Sequence, residues 1–150
     1  MEFEFVGLDD LIKKMEECAS ITEQIEIDKR ILNQAKSIVH STMQSMINRS
    51  KDHSKSGRSL AGGGESRPKH GHAADNIPIS SIKIEGTYVY CDIGWHLSDN
   101  SEYFYMKFIN WGTFKIMPVD FTGKTRDKIE PQLVSLTKKE YQNFLNKKLG

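Results

Sequence analysis

SEYFYMKFINWGTFKIMPVDF, residues 101–121, is the stretch on which the reading of the fold turns. Phe104, Met106 and Phe108 alternate with Tyr103, Tyr105 and Lys107, the period of two expected of a β-strand. Both faces carry aromatics, so this strand is expected to be covered on both sides, by helices on one and by a neighbour on the other. After it come Trp111-Gly112-Thr113 and a turn at Lys115-Ile116-Met117-Pro118. A strand ending in a glycine turn, with Trp111 in the core beneath, accounts for the aromatics. It does not account for the lysine and proline that join them at one strand end.

Toward the N-terminus, residues 77–84 and 88–95 are two further β-rich runs joined at Glu85-Gly86, where glycine supplies the positive φ of a tight turn. In the second run Val89, Cys91, Ile93 and Trp95 share one face, and Tyr88, Tyr90 and Asp92 the other. Ser98-Asp99-Asn100-Ser101 supplies the next turn. With 103–108, these runs predict an antiparallel meander of three or four strands.

The flanks read as helices. Phe3 and Phe5 alternate with glutamates as a short strand, and Gly7 ends it. Leu8, Leu11, Ile12, Met15 and Ala19 then form one amphipathic stripe. Ser20 and Glu23 fit a capping box that opens a second helix, reaching to about Asn48 with Ile25, Leu32, Ala35, Val39, Met43 and Met46 in line. Some 26 residues of helix would span about 39 Å. Ile27, Ile31, Ile38 and Ile47 widen its apolar surface and imply contacts on two sides, one of which another subunit could supply. At the far end Thr137 and Glu140 read as another capping box with Leu136 and Tyr141 as its staple, and Tyr141, Phe144 and Leu145 give that helix an apolar face. Either Pro131 opens this helix earlier, or residues 132–136 form a separate extended piece. The expected fold is a single α+β domain over residues 1–150. N-terminal helices and a C-terminal helix pack on an antiparallel β-meander, with a long flexible loop after the long helix.

That loop, residues 50–76, holds five of the 11 glycines and three of the five histidines, and Leu60 is its only large apolar residue. Such a stretch buries too little to offset the roughly 1–2 kcal/mol per residue that ordering costs, and is expected not to fold alone. Residues 88–121, by contrast, hold ten of the 14 aromatics. These unlike parts average to 150 residues with net charge +1, 37% hydrophobic and 27% charged. That balance argues against a globally basic nucleic-acid binder or a protein drawn to acidic membranes. No apolar run approaches the roughly 20 residues of a membrane span, and Met1-Glu2-Phe3-Glu4 does not read as a signal peptide. Cys18 and Cys91 read as reduced thiols.

Motifs of catalysis are few. Gly62-Gly63-Gly64 near Lys69 lacks the GxxxxGK(S/T) spacing of a phosphate loop and reads as a surface loop. His70 and His72, with His53 and Cys91, lack the paired spacing of a structural zinc site. There is no GxSxG, HExxH or CxxC; Cys91 reads as a small core residue, and Asp92 and Asp120 as isolated carboxylates. No enzyme, cofactor or metal is expected; were there an activity, His40 and His96 would be the first residues to replace. Lys51, Lys55, Arg58, Arg67 and Lys69 outnumber Asp52, Glu65 and Asp75 and are the loop's candidate contacts. A nucleic-acid-binding module acting through residues 50–76, with salt-sensitive and non-specific affinity, is therefore the alternative of another class.

The run YFYMKFINWGTFKIMPVDF resembles the signature Y-x-x-Φ-x-E-(F/Y/W)-G-T-x-K-x-x-P-x-x-F of the gene-product-ten-like family of phage HK-ninety-seven. Gly7-Leu8-Asp9-Asp10-Leu11 is similar to that family's GLDEL start, and Ser56-Gly57-Arg58-Ser59-Leu60 resembles its TGRLR patch after a long helix. Asn110 stands where the family has an acidic residue, and the triple glycine is an addition. The resemblance implies a structural virion protein, a tail terminator or neck (tail-completion) subunit whose ring, typically hexameric, caps the tail tube and joins tail to head. A head-closing stopper, or a collar protein of a contractile tail or tail-like particle, is the neighbouring alternative. Implied partners are copies of itself, tail-tube and sheath proteins, and head-completion or stopper proteins, with genomic DNA only as passing cargo and no membrane. The implied location is the virion or a phage-tail-like particle, assembled in the host cytoplasm. The motif and interface candidates are Phe104, Tyr105, Lys107, Phe108, Trp111, Gly112, Thr113, Lys115, Pro118 and Phe121.

Overall fold

The computed structural model describes residues 8–49, 58–59, 65–66 and 72–149, with 58–59 and 65–66 as backbone alone. In chain order its elements are α1 (Asp9–Cys18), α2 (Ile21–Met46), β1 (Arg58–Ser59), β2 (Glu65–Ser66), a 3-10 turn (Ala73–Asp75), β3 (Lys83–Glu85), β4 (Tyr88–Tyr90), α3 (Met106–Trp111) and α4 (Phe121–Leu149). The class is α+β, mostly helical with little sheet. The strand expected at Phe3 and Phe5, the triple glycine, and Lys51, Lys55, Arg67 and Lys69 lie outside the described residues, as does the side chain of Arg58.

The Ser20 cap forms as its sequence requires. The Ser20 hydroxyl accepts the Glu23 N–H at 3.2 Å and the Glu23 carboxylate accepts the Ser20 N–H at 3.2 Å, which satisfies donors the first helical turn leaves unpaired. Downstream, α2 buries Ile27, Ala35, Val39 and Met43, with Ile31 partly buried and Ile47 buried just past its end. The core stripe thus steps every four residues through Ile27 and Ile47, not through the expected Ile25 and Met46. A matching ladder on α4 runs Phe121, Thr125, Ile129, Leu133, Thr137 and Leu145, with Tyr141 partly buried in step. Met43 packs with Phe121, Val39 with Ile129 and Leu133, and Ile27 with Leu145, so the two helices are antiparallel along their length. Rows of side chains at i±4 on both helices are what ridges-into-grooves packing needs. Besides α4, α2 contacts β4 and the 3-10 turn of the same chain.

Three expectations are corrected. The first is the C-terminal helix, which starts at Phe121 and runs through Pro131, so residues 132–136 are not a separate extended piece. Its supposed capping box is an interior position. Thr137 is buried, and Glu140 reaches across to α2, accepting from Gln34 Nε2 at 3.1 Å and lying 3.8 Å from Arg30. A proline removes one helical hydrogen bond, and the unbroken ladder against α2 outweighs it.

The second correction concerns the sheet. Residues 103–108 form no strand: a turn leads into α3, in which Met106 and Asn110 are buried, with Tyr103 buried just before it. Spacings of three and four are helical, and alternation over six aromatic-rich residues does not separate the two periods. Among the described residues there is no meander. The β3–β4 hairpin pairs Lys83 with Tyr90 and Glu85 with Tyr88 around Gly86, whose φ is 64°. Its arms continue past the strands as the bridge Ile79–Ile93, with Ser80 N–H donating to the Asp92 carbonyl at 2.8 Å.

The third correction lies at the end of the expected flexible segment. Arg58–Ser59 pairs antiparallel with Glu65–Ser66, and Ala73 and Ala74 are buried in the main core beside Met43, Ile77 and Trp95. His72 caps the 3-10 turn, its Nδ1 accepting the Ala74 N–H at 3.0 Å. Arg49 grips Asp75 with both guanidinium nitrogens, and Gln44 Nε2 donates to the same carboxylate at 3.0 Å. The chain is tied back to the end of α2 there.

Candidate functional site: the apolar turn before α4

The signature residues converge on one construction: α3, a turn over residues 112–118, and the start of α4. Gly112 ends α3, donating its N–H to the Phe108 carbonyl at 2.8 Å with φ 76° and ψ 173°. Only glycine fits. A Cβ there would lie 2.8 Å from the Ile116 carbonyl oxygen and 2.9 Å from Pro118 Cδ, and the φ is one that residues with a Cβ seldom adopt. Thr113 then closes the turn. Its N–H donates to the Ile116 carbonyl at 2.9 Å, and its hydroxyl accepts the N–H groups of Lys115 and Ile116 at 3.2 and 3.1 Å.

The return limb is strapped to α3. Val119 N–H donates to the Ile109 carbonyl at 2.9 Å and Asp120 N–H to the Asn110 carbonyl at 3.0 Å. Asn110, only 2% exposed, exchanges hydrogen bonds with Thr122: its Nδ2 donates to Thr122 Oγ1 at 3.0 Å, and its Oδ1 accepts the Thr122 N–H at 3.2 Å. Asp120, at φ 51°, starts α4 with its carboxylate on the Gly123 N–H at 3.2 Å and its carbonyl on the Lys124 N–H at 3.0 Å. The first turn of α4 is therefore capped from within.

This frame displays apolar side chains. Phe114 is 95% exposed, Met117 85% and Trp111 50%, with Phe108 and Ile116 also exposed. Lys115 lies over the Phe114 ring at 5.4 Å and Lys107 over the Phe108 ring at 5.5 Å. Lys107 also donates to the carbonyls of Leu97 at 2.8 Å and Asp99 at 3.2 Å, which holds the loop after Trp95 under α3. Beside the turn lies a groove of about 680 Å³ between residues 92–98 and the start of α4, its lining including Asp92, Leu97, Trp111, Asp120 and Arg126.

The ten motif candidates divide by burial. Phe121 is 1% exposed, edge-on to Trp95 with ring centroids 6.0 Å apart, and belongs to the core. Tyr105 packs against that core and Phe104 is half-buried. Phe108, Trp111, Thr113, Lys115 and Pro118 are exposed; Lys107 and Gly112 are intermediate. Trp111 is not a core residue, contrary to the simplest reading of the sequence. Sequence reasoning missed Phe114, Met117 and Leu97 as surface residues, because nothing in a hydrophobic residue's identity tells which side of a turn it occupies. It also treated Asn110 only as a departure, although it is the buried polar post that fixes the turn to α4.

Among the described residues no group of three His, Cys, Asp or Glu side chains could hold a metal, and His53 and His70 lie outside them. The Cys91 thiol is pushed up by burial, which disfavours the thiolate. No described helix is long and apolar enough to cross a membrane. No family model matches the chain, and neither a curated protein nor a solved structure does.

Proposed function

We propose that this chain is a structural subunit of a tailed-phage particle, a tail terminator or neck protein whose ring caps the tail tube and joins tail to head. The supporting observation is that the segment bearing the family resemblance is a glycine-locked turn that holds Phe114 almost wholly in water. Exposed apolar surface costs about 25 cal/mol per Å² relative to burial. A chain that spends a defined glycine, a buried asparagine and two backbone straps on keeping such a turn exposed has an assembly partner for it. A subunit of a closed ring needs two different patches that meet in neighbouring copies, and the turn is one of them. On this reading the protein works by assembling and turns over no substrate, and DNA passes through the ring as cargo.

The test is direct. Purified protein mixed with isolated tail tubes is expected to form closed rings and tube caps in negative-stain images. A protein that stays monomeric at every concentration and never binds tubes would rule the reading out.

A further inference from the structure

We infer that the second patch is the groove beside the turn: residues 112–118 of one copy dock into the groove between residues 92–98 and the start of α4 of a neighbouring copy. This rests on the ring reading above and names the surfaces that close it.

Area speaks first. Taking about 200 Å² for a full large side chain, the exposures of Phe108, Trp111, Phe114, Ile116, Met117 and Leu97 leave on the order of 700 Å² of apolar surface open. That exceeds the roughly 300–600 Å² of the largest patch on a typical monomer, and in a head-to-tail contact it is divided between two neighbours, the turn meeting one and the groove mouth the other. The patch is continuous, since Leu97 and Trp111 line the groove and Trp111 opens the turn.

Shape and charge agree. The turn is convex and the groove is concave, with a volume of about 680 Å³, inside the about 300–1,000 Å³ range of pockets that enclose small-molecule ligands and so ample for one or two apolar side chains. The turn carries one ammonium, Lys115, while the groove carries the carboxylates of Asp92 and Asp120 against one guanidinium, Arg126. A +1 convex surface thus faces a concave one whose lining carboxylates outnumber its guanidinium by one. Asp92 already holds Lys83 at 3.1 Å and Asp120 already caps Gly123, so neither carboxylate enters the interface unpaired.

Geometry makes the contact intermolecular. The straps from Val119 and Asp120 to α3 fix the return limb of the turn, none of residues 112–118 lines the groove of its own copy, and Phe114 stays 95% exposed. Each copy therefore has one unfilled groove and one unseated turn. Passing the turn to the next copy makes a heterologous contact, which closes into a ring when the rotation per step allows it.

The experiment uses two full-length variants at exposed positions. Phe114→Asp disables the turn; Leu97→Arg blocks the groove mouth and repels Lys115. Native mass spectrometry and light scattering read the mass, and circular dichroism confirms the fold. The wild type is expected to assemble, and each variant to self-associate at least ~30-fold more weakly, as for loss of a central interface residue. Mixed together, the two variants are expected to form a 1:1 pair and nothing larger, because one intact turn meets one intact groove. Should either substitution disturb the fold, Met117→Asp replaces the first and Ser98→Trp the second. Wild-type-like assembly by folded turn variants, or variants that remain monomeric when mixed, would overturn the docking while leaving the ring reading standing. If the variants form rings but no longer cap tubes, the turn binds the tube protein, which also overturns it. A wild type that is monomeric throughout sinks both.

Discussion

The α2–α4 pair and the turn before α4 are both rich in large apolar residues, yet they use them in opposite ways. Along the pair, Met43, Ile129 and Phe121 are wholly or almost wholly buried, each stepping four residues from the next rung. In the turn, Phe114 and Met117 point into water and polar groups make the structure: Thr113 closes it, Asn110 anchors it, and Gly112 allows its shape. One region is held by what its hydrophobic side chains bury; the other is held by its backbone so that its hydrophobic side chains stay free. The difference separates residues that fold the chain from residues left free on its surface.

The sharpest way to break that contrast is to delete one phenylalanine from each region. Phe121→Ala is expected to cost about 3–5 kcal/mol, since it empties the junction of Trp95, Met43 and Met106. Phe114→Ala should stay within about 0.5 kcal/mol of wild type, because it removes a side chain with almost no buried surface. Urea denaturation of both variants measures the pair. A comparable loss in the two would mean that the turn packs against the body of the protein after all.

A second comparison sets two glycines against each other. Gly112→Val meets both a φ of 76° and contacts of 2.8–2.9 Å with Ile116 and Pro118, and is expected to destabilise by about 2–3 kcal/mol while loosening the turn. Gly86→Ala has a similar φ of 64° but nothing within 4 Å, so only the backbone term of about 1 kcal/mol applies. Equal losses in thermal or chemical denaturation would show that crowding at Pro118 plays no part.

Much of the helical frame was legible in the sequence, and its failures have physical causes. The Ser20–Glu23 box marked the start of α2 because a cap is a local hydrogen-bond pattern that needs no tertiary partner. The Glu85-Gly86 turn was legible for the same reason. The first half of α4 was not, because Pro131 and the false box at Thr137 are strong local signals. The countervailing signal, a ladder from Phe121 to Leu145 in steps of four, becomes decisive only when matched with the same ladder on α2. Residues 103–108 went wrong because Tyr103, Met106 and Asn110 bury at helical spacing beneath aromatics that happen to alternate. The site's glycine, lysine and proline were found by resemblance to a motif. Which of its apolar residues face water was not encoded in any local pattern, since that depends on straps formed between Asn110, Asp120 and Thr122.

The smallest expected effects come from two carboxylates, one on the 3-10 turn and one against the α2–α4 pair, and their pH dependences should have opposite sign. Asp75 is held by Arg49 and Gln44, and its carboxyl is drawn from the ordinary 3.8 down to about 2, chiefly by the Arg49 hydrogen bonds. Between those values the unfolded chain takes up a proton that the folded chain refuses. The contribution is therefore complete above 3.8 and is lost as pH falls through about 2. Asp28 sits against the α2–α4 pair, accepting from the Tyr141 hydroxyl at 3.1 Å, and burial lifts its carboxyl above 3.8 despite that bond. Its contribution is complete below 3.8 and is lost as pH rises through the lifted value, where ionisation must proceed in a half-buried site. Asp75→Asn should accordingly melt below wild type at pH 7, with the gap closing toward pH 2. Asp28→Asn keeps an acceptor for Tyr141 and should melt above wild type at pH 7, with that gap closing toward pH 3. Thermal melts across pH 2–7 measure both, and parallel displacements that do not change with pH would show that packing, not ionisation, sets the two differences.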